Sequence, residues 1–266
     1  MPAPRAKKSL GQNFLKSRAV IGRILLQLRP QPNDTVIEVG PGRGALTLPL
    51  AHSGVNLWAV EFDRDLVEFL EPRLEGFDNV HLINADFLKF KPRKNKINRF
   101  KLIGNLPYNI TSPVLDWLLR QHKYCDRAVF MMQKELAARL CGAPGSKDWS
   151  PLAIFTQLHF EVERCFNVAP EHFSPPPQVT STVVALSPLR PPRAPLTPAL
   201  QKVVRAAFRH RRKQLINNLG GEIIPDNGVA HEIFAELGFP PTVRAEELSI
   251  EQFLTLTDAL TARKLI

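Results

Sequence analysis

Residues 36–44 read Val-Ile-Glu-Val-Gly-Pro-Gly-Arg-Gly, and this stretch decides the fold class. An apolar strand leads directly into a turn in which every second residue is glycine, and the amphipathic segment Ala45–Ala51 follows. Glycine allows a close approach to a ligand and a positive φ, so the pattern is typical of a ligand-binding α/β protein. The spacing Gly-x-Gly-x-Gly differs from the Gly-x-Gly-x-x-Gly of dinucleotide sites, which favours a cofactor without a phosphate group.

From Thr35 onward, short apolar runs alternate with amphipathic segments, which predicts βαβ units on a mostly parallel sheet. The predicted strands are Thr35–Val39, Leu57–Val60, Val80–Ile83, Lys101–Ile103, Arg127–Met132, Glu161–Val168 and Thr182–Leu186. The predicted helices between the first strands are Ala45–Ala51, Arg64–Leu74, Pro113–Gln121 and Gln133–Leu140. This strand count is that of a common methyltransferase sheet, so we predict a seven-stranded, Rossmann-like α/β fold.

The segment Ser187–Pro198 contains five prolines and predicts a stiff linker, because proline cannot continue a strand or a helix interior. Beyond it, apolar residues recur at helical spacing from Leu200 to Leu215, and Val229–Leu237 and Ile250–Lys264 have the same periodicity. We therefore predict two domains: an α/β domain over residues 1–187 and a small, all-helical domain over residues 188–266.

The composition indicates a globular protein, with 44% hydrophobic and 23% charged residues. No apolar run approaches the roughly 20 residues that span a bilayer, and the N-terminus lacks the pattern of a secretory signal, so we expect a cytoplasmic protein. The three cysteines are too few and too widely spaced for a zinc cluster, and we expect no metal.

The charge distribution predicts a polyanionic partner. Lys and Arg number 35 against 25 for Asp and Glu, which gives a net charge of +10. Two basic spans contain no acid: the residues before Asp34, and those between Glu171 and Glu222. Solvated protein faces are the alternative explanation for such spans.

Three sites along the predicted sheet edge fit a nucleoside cofactor. Gly40 and Gly42 form the turn after the first strand, Glu61 ends the second strand, and Asp86 follows the third. The Glu61 carboxylate can accept hydrogen bonds from two ribose hydroxyls, and Asp86 can accept one from an adenine amino group. Open α/β sheets bind ligands at this carboxyl edge, although each acid alone could be an ordinary strand-end residue.

The sequence Asn105-Leu106-Pro107-Tyr108 directly follows the fourth predicted strand and carries the predicted chemistry. An exocyclic adenine amine is a poor nucleophile because its lone pair is delocalised. Hydrogen bonds to the Asn105 side-chain oxygen and to a backbone carbonyl near Leu106 would favour a pyramidal, more nucleophilic nitrogen. Pro107 restricts the preceding residue to an extended conformation, and Tyr108 could stack on a flipped base. A tight loop that merely caps the strand is the alternative.

Phe173 precedes a rigid Pro-Pro-Pro turn and could cover the other face of the base, opposite Tyr108. A buried phenylalanine beside a surface turn is the competing interpretation. No His or Lys lies in the Asn105 loop, so in-line positioning rather than a general base is the predicted source of catalysis.

These motifs together resemble the family of small-subunit ribosomal RNA adenine dimethyltransferases over nearly the whole chain. The matching stretches are Ser9–Leu15, Glu38–Thr47, Val60–Asp63, Asn84–Asp86, Gly104–Ile110, Met132–Glu135, Phe173–Ser181 and Arg211–Leu215. One segment departs from the family pattern: Asp148-Trp149-Ser150-Pro151 replaces a cluster that usually contains a basic residue.

The resemblance implies that Asn13, Leu15, Gly40, Glu61, Asp86 and Asn105 contact S-adenosylmethionine, and that Asn105 also holds the target amine. It implies that the helical domain over residues 188–266 binds RNA and that the enzyme acts on the pre-30S particle, where it methylates twice each of two adjacent adenosines in the 3′-terminal hairpin loop of the small-subunit RNA. We take a monomer as the default state. Two other functions stay open: a large-subunit methylase of the antibiotic-resistance type, and a ribosome-assembly or transcription factor without catalysis.

Overall fold

The computed structural model describes residues 3–107 and 110–266. Its strands are β1 (Phe14–Leu15), β2 (Thr35–Val39), β3 (Asn56–Glu61), β4 (Val80–Asn84), β5 (Phe100–Asn105), β6 (Cys125–Gln133), β7 (Phe160–Val168), β8 (Phe173–Ser174) and β9 (Ser181–Pro188). Its α-helices are α1 (Arg18–Leu28), α2 (Thr47–His52), α3 (Arg64–Leu74), α4 (Thr111–Gln121), α5 (Lys134–Leu140), α6 (Pro151–Gln157), α7 (Pro198–Ala207), α8 (Leu215–Leu219), α9 (Asn227–Glu236) and α10 (Ile250–Ala262).

The predicted seven-stranded sheet is confirmed, with the strand order β4-β3-β2-β5-β6-β9-β7. From β2, successive strands of the chain are added on one side of the sheet as β3 and β4, and then on the other side as β5 and β6. The direction in which strands are added therefore reverses between β2 and β5. These five strands are parallel, whereas β9 is antiparallel to both of its neighbours. The residues between β7 and β9, all of them described, hold a short 3-10 turn and β8 but not the crossover helix that usually joins parallel strands. The reversal point places a ligand crevice at the carboxyl ends of β2 and β5.

Successive side chains of each strand point to opposite faces of the sheet, and both faces are covered by apolar residues. On β3, Leu57 packs in a core cluster with Val20 and Ile24 of α1, whereas the next residue, Trp58, stacks near Phe90 on the opposite face. Trp117 of α4 lies on that second face, where its Nε1 donates to the Phe90 carbonyl oxygen at 3.0 Å. Helices on both faces hold the strand ends that build the site.

Two elements near the N-terminus did not follow from the sequence pattern. Strand β1 pairs with β8 in a separate antiparallel sheet, with Phe14 opposite Ser174 and Leu15 opposite Phe173. A two-residue strand is too short to show an alternating pattern. Helix α1 begins after Ser17, whose side-chain oxygen accepts a hydrogen bond from the Val20 backbone N–H.

The chain divides into two compact units at places that differ from the predicted domains. The first unit comprises residues up to Ala137 together with Phe160–Pro188, and the second comprises Ala138–His159 and Leu189–Ile266. The boundary between the two units after Pro188 lies within the proline-rich segment. Strand β9, however, includes Ser187 and Pro188, which we predicted as part of the linker. Residues 138–159, predicted as part of the α/β domain, cluster with the helical unit.

In the helical unit, the apolar residues that recur at helical spacing from Leu200 to Leu215 belong to two helices. Helix α7 ends at Ala207 and α8 starts at Leu215, and the residues between them include the exposed, largely basic run Arg209–Lys213. Asn218, 3% exposed, closes this gap: its Nδ2 donates to the Ala207 carbonyl at 2.7 Å and to the His210 carbonyl at 3.1 Å. Among the described residues, no helix is long and apolar enough to cross a membrane.

Candidate active site

The glycine turn after β2 adopts backbone conformations that require glycine. Gly40 and Gly42 have φ values of 66° and 59°, in the left-handed region. A Cβ on Gly42 would also lie 3.2 Å from Cδ1 of Phe14. The Gly42 backbone N–H donates to Oε2 of Glu61 at 3.0 Å, which joins the turn to the end of β3. The turn is therefore fixed against both the N-terminal segment and the neighbouring strand.

The N-terminal segment, residues 3–16, lies across this sheet edge and is anchored at several points. Lys7 Nζ contacts the carboxylates of Asp63 at 2.6 Å and Asp65 at 2.8 Å, and Gln12 Nε2 donates to Asp63 at 2.8 Å. Burial opposes ionisation of Asp63, but the Lys7 and Gln12 hydrogen bonds outweigh it and the pKa of Asp63 is lowered. The anion at position 63 thus stays charged and holds the segment in place.

Arg43 supplies a second anchor from the glycine turn. Its guanidinium lies over the Phe14 ring, 4.3 Å from the centroid, and Nη2 donates to the Pro4 carbonyl at 2.6 Å.

A cavity of about 340 Å³ lies between the N-terminal segment and the sheet edge. Its lining includes ten of the eleven predicted site residues: Asn13, Leu15, Gly40, Gly42, Glu61, Asp86, Asn105, Leu106, Pro107 and Phe173. The eleventh, Tyr108, lies outside the described residues. Strand order arranges the polar groups in sequence along the edge, from Asp86 after β4 through Glu61 on β3 to Asn105 on β5. The volume is in the range of small-molecule sites.

The Asn105 side chain is oriented by the N-terminal segment. Its Nδ2 donates to the Asn13 carbonyl oxygen at 2.9 Å, which leaves Oδ1 as the acceptor for a ligand. The loop that follows is tied down as well: the Leu106 backbone N–H donates to the Met131 carbonyl at 2.9 Å. The Pro107 carbonyl accepts from the Ile110 N–H, so it is engaged within its own turn. A fixed amide oxygen in the cavity is what the predicted amine contact requires.

Glu61 is 6% exposed, and both of its carboxylate oxygens are oriented by backbone N–H groups. Oε1 accepts from Asp63 at 2.8 Å and Oε2 from Gly42 at 3.0 Å. Burial is the main reason that the pKa of Glu61 is raised, and these two hydrogen bonds oppose the rise. Each oxygen retains acceptor capacity toward a ligand hydroxyl.

Glu38 is a cavity residue that the sequence reasoning did not single out. It is 1% exposed on β2, and its Oε2 has no hydrogen-bond partner among the described residues. Burial raises the pKa of Glu38 to about 8, and the Glu61 carboxylate adds to the rise. The Thr47 hydroxyl is close enough to oppose it, although that oxygen also lacks a well-formed hydrogen bond. An acid inside a predicted apolar strand was the signal that could have identified it.

The side chains of Asp86 and Phe173 both line the cavity, but both also make contacts within the protein that the sequence did not predict. Asp86 caps a short helical turn, with Oδ1 accepting from the Leu88 N–H at 3.0 Å, and its Oδ2 lies 3.8 Å from Lys89 Nζ. Phe173 lines the cavity but is only 2% exposed, because it packs in the core cluster with Leu15. Its stacking with Tyr108 on a flipped base stays a prediction.

The atypical segment 148–151 has a structural role within the helical unit. Trp149 is 1% exposed and its Nε1 donates to the Leu248 carbonyl at 2.8 Å. Ser150 caps α6 by accepting from the Ala153 N–H, and Pro151 occupies the first turn, where its missing N–H leaves no bond unmade. The residues that differ from the family pattern therefore anchor α6 in the second unit.

The basic residues after α7 are displayed on the surface of the helical unit. Arg209 pairs with Glu222, and Arg211 lies 3.7 Å from Glu246. Arg212 and Lys213 are exposed and carry no ion pair among the residues the structure describes.

The cavity fits S-adenosylmethionine, a cationic cofactor without phosphate. It offers a glycine turn, several carboxylates and an unpartnered buried Glu38 oxygen. Within the described ranges, no cluster of three or more His, Cys, Asp or Glu side chains is placed to hold a metal ion.

The comparisons with known proteins point the same way. The family model described as ribosomal RNA adenine dimethylase matches residues 3–262. A ribosomal RNA small subunit methyltransferase A from Nitrosococcus oceani is 43% identical over 257 residues, which cover 95% of each chain. The protein of the same name from Pseudomonas syringae is 40% identical over 98% of this chain and 97% of its own.

Two solved structures are similar along most of the chain. The 23S rRNA methyltransferase ErmE superposes with a TM-score of 0.74 at 28% identity, covering 94% of this chain and 100% of its own. A dimethyladenosine transferase from Plasmodium falciparum has a TM-score of 0.79 at 24% identity, covering 91% and 95%, and supports the fold.

The fold and these relatives define an S-adenosylmethionine-dependent methyltransferase that acts on ribosomal RNA. With the match over residues 3–262, the chain belongs to the ribosomal RNA adenine dimethylase family.

Proposed function

We propose that this enzyme dimethylates the exocyclic amines of two adjacent adenosines in the 3′-terminal hairpin loop of small-subunit ribosomal RNA. The observation that carries the proposal is the fixed Asn105 amide: its Nδ2 is held by the Asn13 carbonyl, and its Oδ1 is available at the cavity beside the glycine turn. Unpaired loop adenosines suit this site because they can be splayed out of a helix.

Chemically, S-adenosylmethionine supplies an electrophilic methyl group on a sulfonium. The chain's contribution is to hold the target nitrogen. Asn105 Oδ1 accepts one amine N–H, and the Leu106 carbonyl, to which none of the described residues donates a hydrogen bond, accepts the other. These contacts favour a pyramidal nitrogen, and the fixed geometry supplies much of the rate acceleration. Tyr108 and Phe173 would cover the two faces of the base.

The cofactor contacts follow the order of the strands. We assign Asp86 to the adenine amino group, Glu61 to the ribose hydroxyls, and Asn13, Leu15, Gly40 and Gly42 to the cofactor portion nearer β2. The adenosine then lies at β4 and β3 and the reactive end at β2 and β5. Glu38 faces that end; its pKa is raised to about 8 by burial, and a cationic ligand beside it would favour the ionised carboxylate.

The helical unit supplies part of the RNA affinity in this proposal. Arg212 and Lys213 are exposed and unpaired by described acids, so phosphate groups can approach them. We place the enzyme in the cytoplasm as a monomer on the pre-30S particle, which is where the substrate loop of an immature subunit is found.

Two alternatives carry less support. A large-subunit methylase is disfavoured because the relatives at about 40% identity bear small-subunit names, whereas ErmE is 28% identical. A factor that only binds RNA does not need the intact Asn105 and Glu61 groups that this cavity contains.

The test is mass mapping of dimethyladenosine in both ribosomal RNAs from cells that lack this gene. We expect the small-subunit modifications to disappear, to return with the wild-type gene, and to stay absent with Asn105→Ala. Loss of a large-subunit modification would support the first alternative. Full modification without the gene, or full restoration by Asn105→Ala, would overturn the proposed catalysis.

A further inference from the structure

A third basic region lies in the middle of the chain, between β4 and β5. No acid occurs between Asp86 and Asp116. Six cations in this interval are exposed, and we refer to them as the basic strip: Lys89, Lys91, Arg93, Lys94, Lys96 and Arg99.

The strip is built on a fixed apolar base. Buried residues alternate with its cations along the segment: Phe87, Phe90, Pro92, Ile97 and Phe100. Trp117 of α4 holds this base, with its ring 4.6 Å from Phe87 and 5.9 Å from Phe100 and its Nε1 donating to the Phe90 carbonyl. The cations therefore project from a packed surface, unlike those of an unstructured basic loop.

Most of this charge is not neutralised by the protein. Lys89 has only a distant partner, Asp86 at 3.8 Å, and Arg99 pairs with Asp126. Lys91, Lys94 and Lys96 have no ion pair among the residues that the structure describes. Like charges this close repel one another, which favours an external polyanion.

Arg93 is already oriented for binding. Its guanidinium lies 5.1 Å from the Tyr124 ring centroid, and Nη1 donates to Asn98 Oδ1 at 2.6 Å. A guanidinium held in this way loses less side-chain entropy when it contacts a phosphate.

The strip also has a direction relative to the active site. It starts immediately after Asp86 and Phe87, which line the cavity, and it ends at Phe100, the first residue of β5. Because β5 runs toward the cavity edge, its first residue marks the opposite edge of the sheet. The strip therefore leads from the cavity down the flank of the α/β unit.

We propose that the basic strip binds the phosphate backbone of the substrate RNA that flanks the target adenosines. This inference rests on the proposed function and adds a contact surface on the α/β unit to that of the helical unit. The contacts are with phosphates, so the strip contributes affinity and orientation and does not read base sequence.

The test compares two double variants with the same loss of charge. Lys91→Gln/Lys94→Gln removes two exposed strip cations, and Arg64→Gln/Arg73→Gln removes two exposed cations from the acidic surface of α3 in the same unit. RNA affinity is measured by titration of a small-subunit 3′-terminal hairpin transcript at several salt concentrations. S-adenosylmethionine affinity and the unfolding temperature are measured in parallel.

We expect the strip variant to bind RNA at least about tenfold more weakly near 0.1 M salt, with the slope of log K against log salt flatter by roughly 1.4 to 1.8. Cofactor affinity should match that of the wild type, and KM for RNA should rise with kcat unchanged. The α3 variant should behave as the wild type.

Unchanged RNA affinity in the strip variant, or an equal loss in the α3 variant, would overturn the inference. So would a strip variant that loses binding to phosphatidylserine vesicles and retains RNA binding, because the partner would then be a membrane surface. If wild-type enzyme bound the hairpin through the strip but did not methylate it, the proposed function would fail and the contact surface would stand.

Discussion

At the scale of single residues, the active site depends on buried carboxylates whose environments differ. Glu61 is held by two backbone N–H groups, whereas Glu38 lacks a partner for Oε2. An acid with hydrogen-bond partners is already oriented for ligand hydroxyls. Burial of an acid oxygen without a partner costs free energy that no hydrogen bond offsets. The two residues should therefore respond differently to substitution.

Glu61→Ala should weaken S-adenosylmethionine binding by at least about tenfold, because it removes both acceptors assigned to the ribose and releases the Gly42 N–H. Calorimetric titration of the cofactor measures this directly. Glu71→Ala, an exposed acid on the following helix α3, is the control. Equal affinity in Glu61→Ala and wild type would show that the ribose lies elsewhere.

Glu38→Gln should change the pH dependence of stability. The folded-state pKa of Glu38 is raised from 4.5 to about 8, so the folded protein binds more protons than the unfolded chain between these values. Stability is therefore lost as pH rises from 4.5 to 8, and glutamine avoids the loss. Without cofactor, we expect the melting temperature of the variant to exceed that of wild type by several degrees at pH 9 and to match it near pH 5. Parallel melting profiles over this range would contradict the assignment.

At the scale of secondary-structure elements, strands with a clear apolar pattern were predictable and short elements were not. Strand β2 has the predicted bounds, because five consecutive residues fill both faces of the sheet. Strands β1 and β8 are two residues each and are stabilised by pairing with each other, which only the folded chain reveals. Helix α6 was missed because its anchor, Trp149, finds its partner at Leu248, far along the sequence.

The residues of the candidate site divide in the same way into predictable and unpredictable ones. Gly40, Glu61 and Asp86 could be predicted because each follows a recognisable strand. Glu38 was missed although an acid inside an apolar strand was visible in the sequence, whereas the Lys7–Asp63 contact could not be predicted, since an ion pair across 56 positions leaves no local pattern.

Trp149→Phe tests whether residues 138–159 support the helical unit. The change keeps most of the apolar contact but leaves the Leu248 carbonyl without its donor in a buried position. We expect a loss of about 1–3 kcal/mol in the free energy of unfolding, with cofactor affinity unchanged. Denaturant unfolding measures the first quantity and titration the second. A drop in cofactor affinity with unaltered stability would mean that Trp149 acts on the active site instead.

At the scale of the whole molecule, cofactor binding draws on the α/β unit alone, whereas we assign RNA contacts to both units. The cofactor cavity lies within the α/β unit, and the Arg209–Lys213 segment belongs to the helical unit. The net charge of +10 favours RNA association in general, and the location of exposed, unpaired cations determines where it occurs.

Lys213→Ala should therefore reduce RNA affinity and flatten its salt dependence by about one phosphate contact, with S-adenosylmethionine affinity intact. Filter binding at several salt concentrations checks the first result and calorimetry the second. Lys264→Ala, a lysine near the end of the helical unit, is the matched control. An unchanged salt slope in Lys213→Ala would remove this residue from the RNA surface.

The anchored N-terminal segment has a practical consequence for handling the protein. Because the Pro4 carbonyl accepts a hydrogen bond from Arg43, which lines the cofactor cavity, and Lys7 bonds to Asp63, an affinity tag fused ahead of residue 3 would be attached close to these anchors. Such a fusion would crowd ligand exchange and distort measured constants. A purification handle after Ile266 leaves the anchored N-terminal segment unmodified.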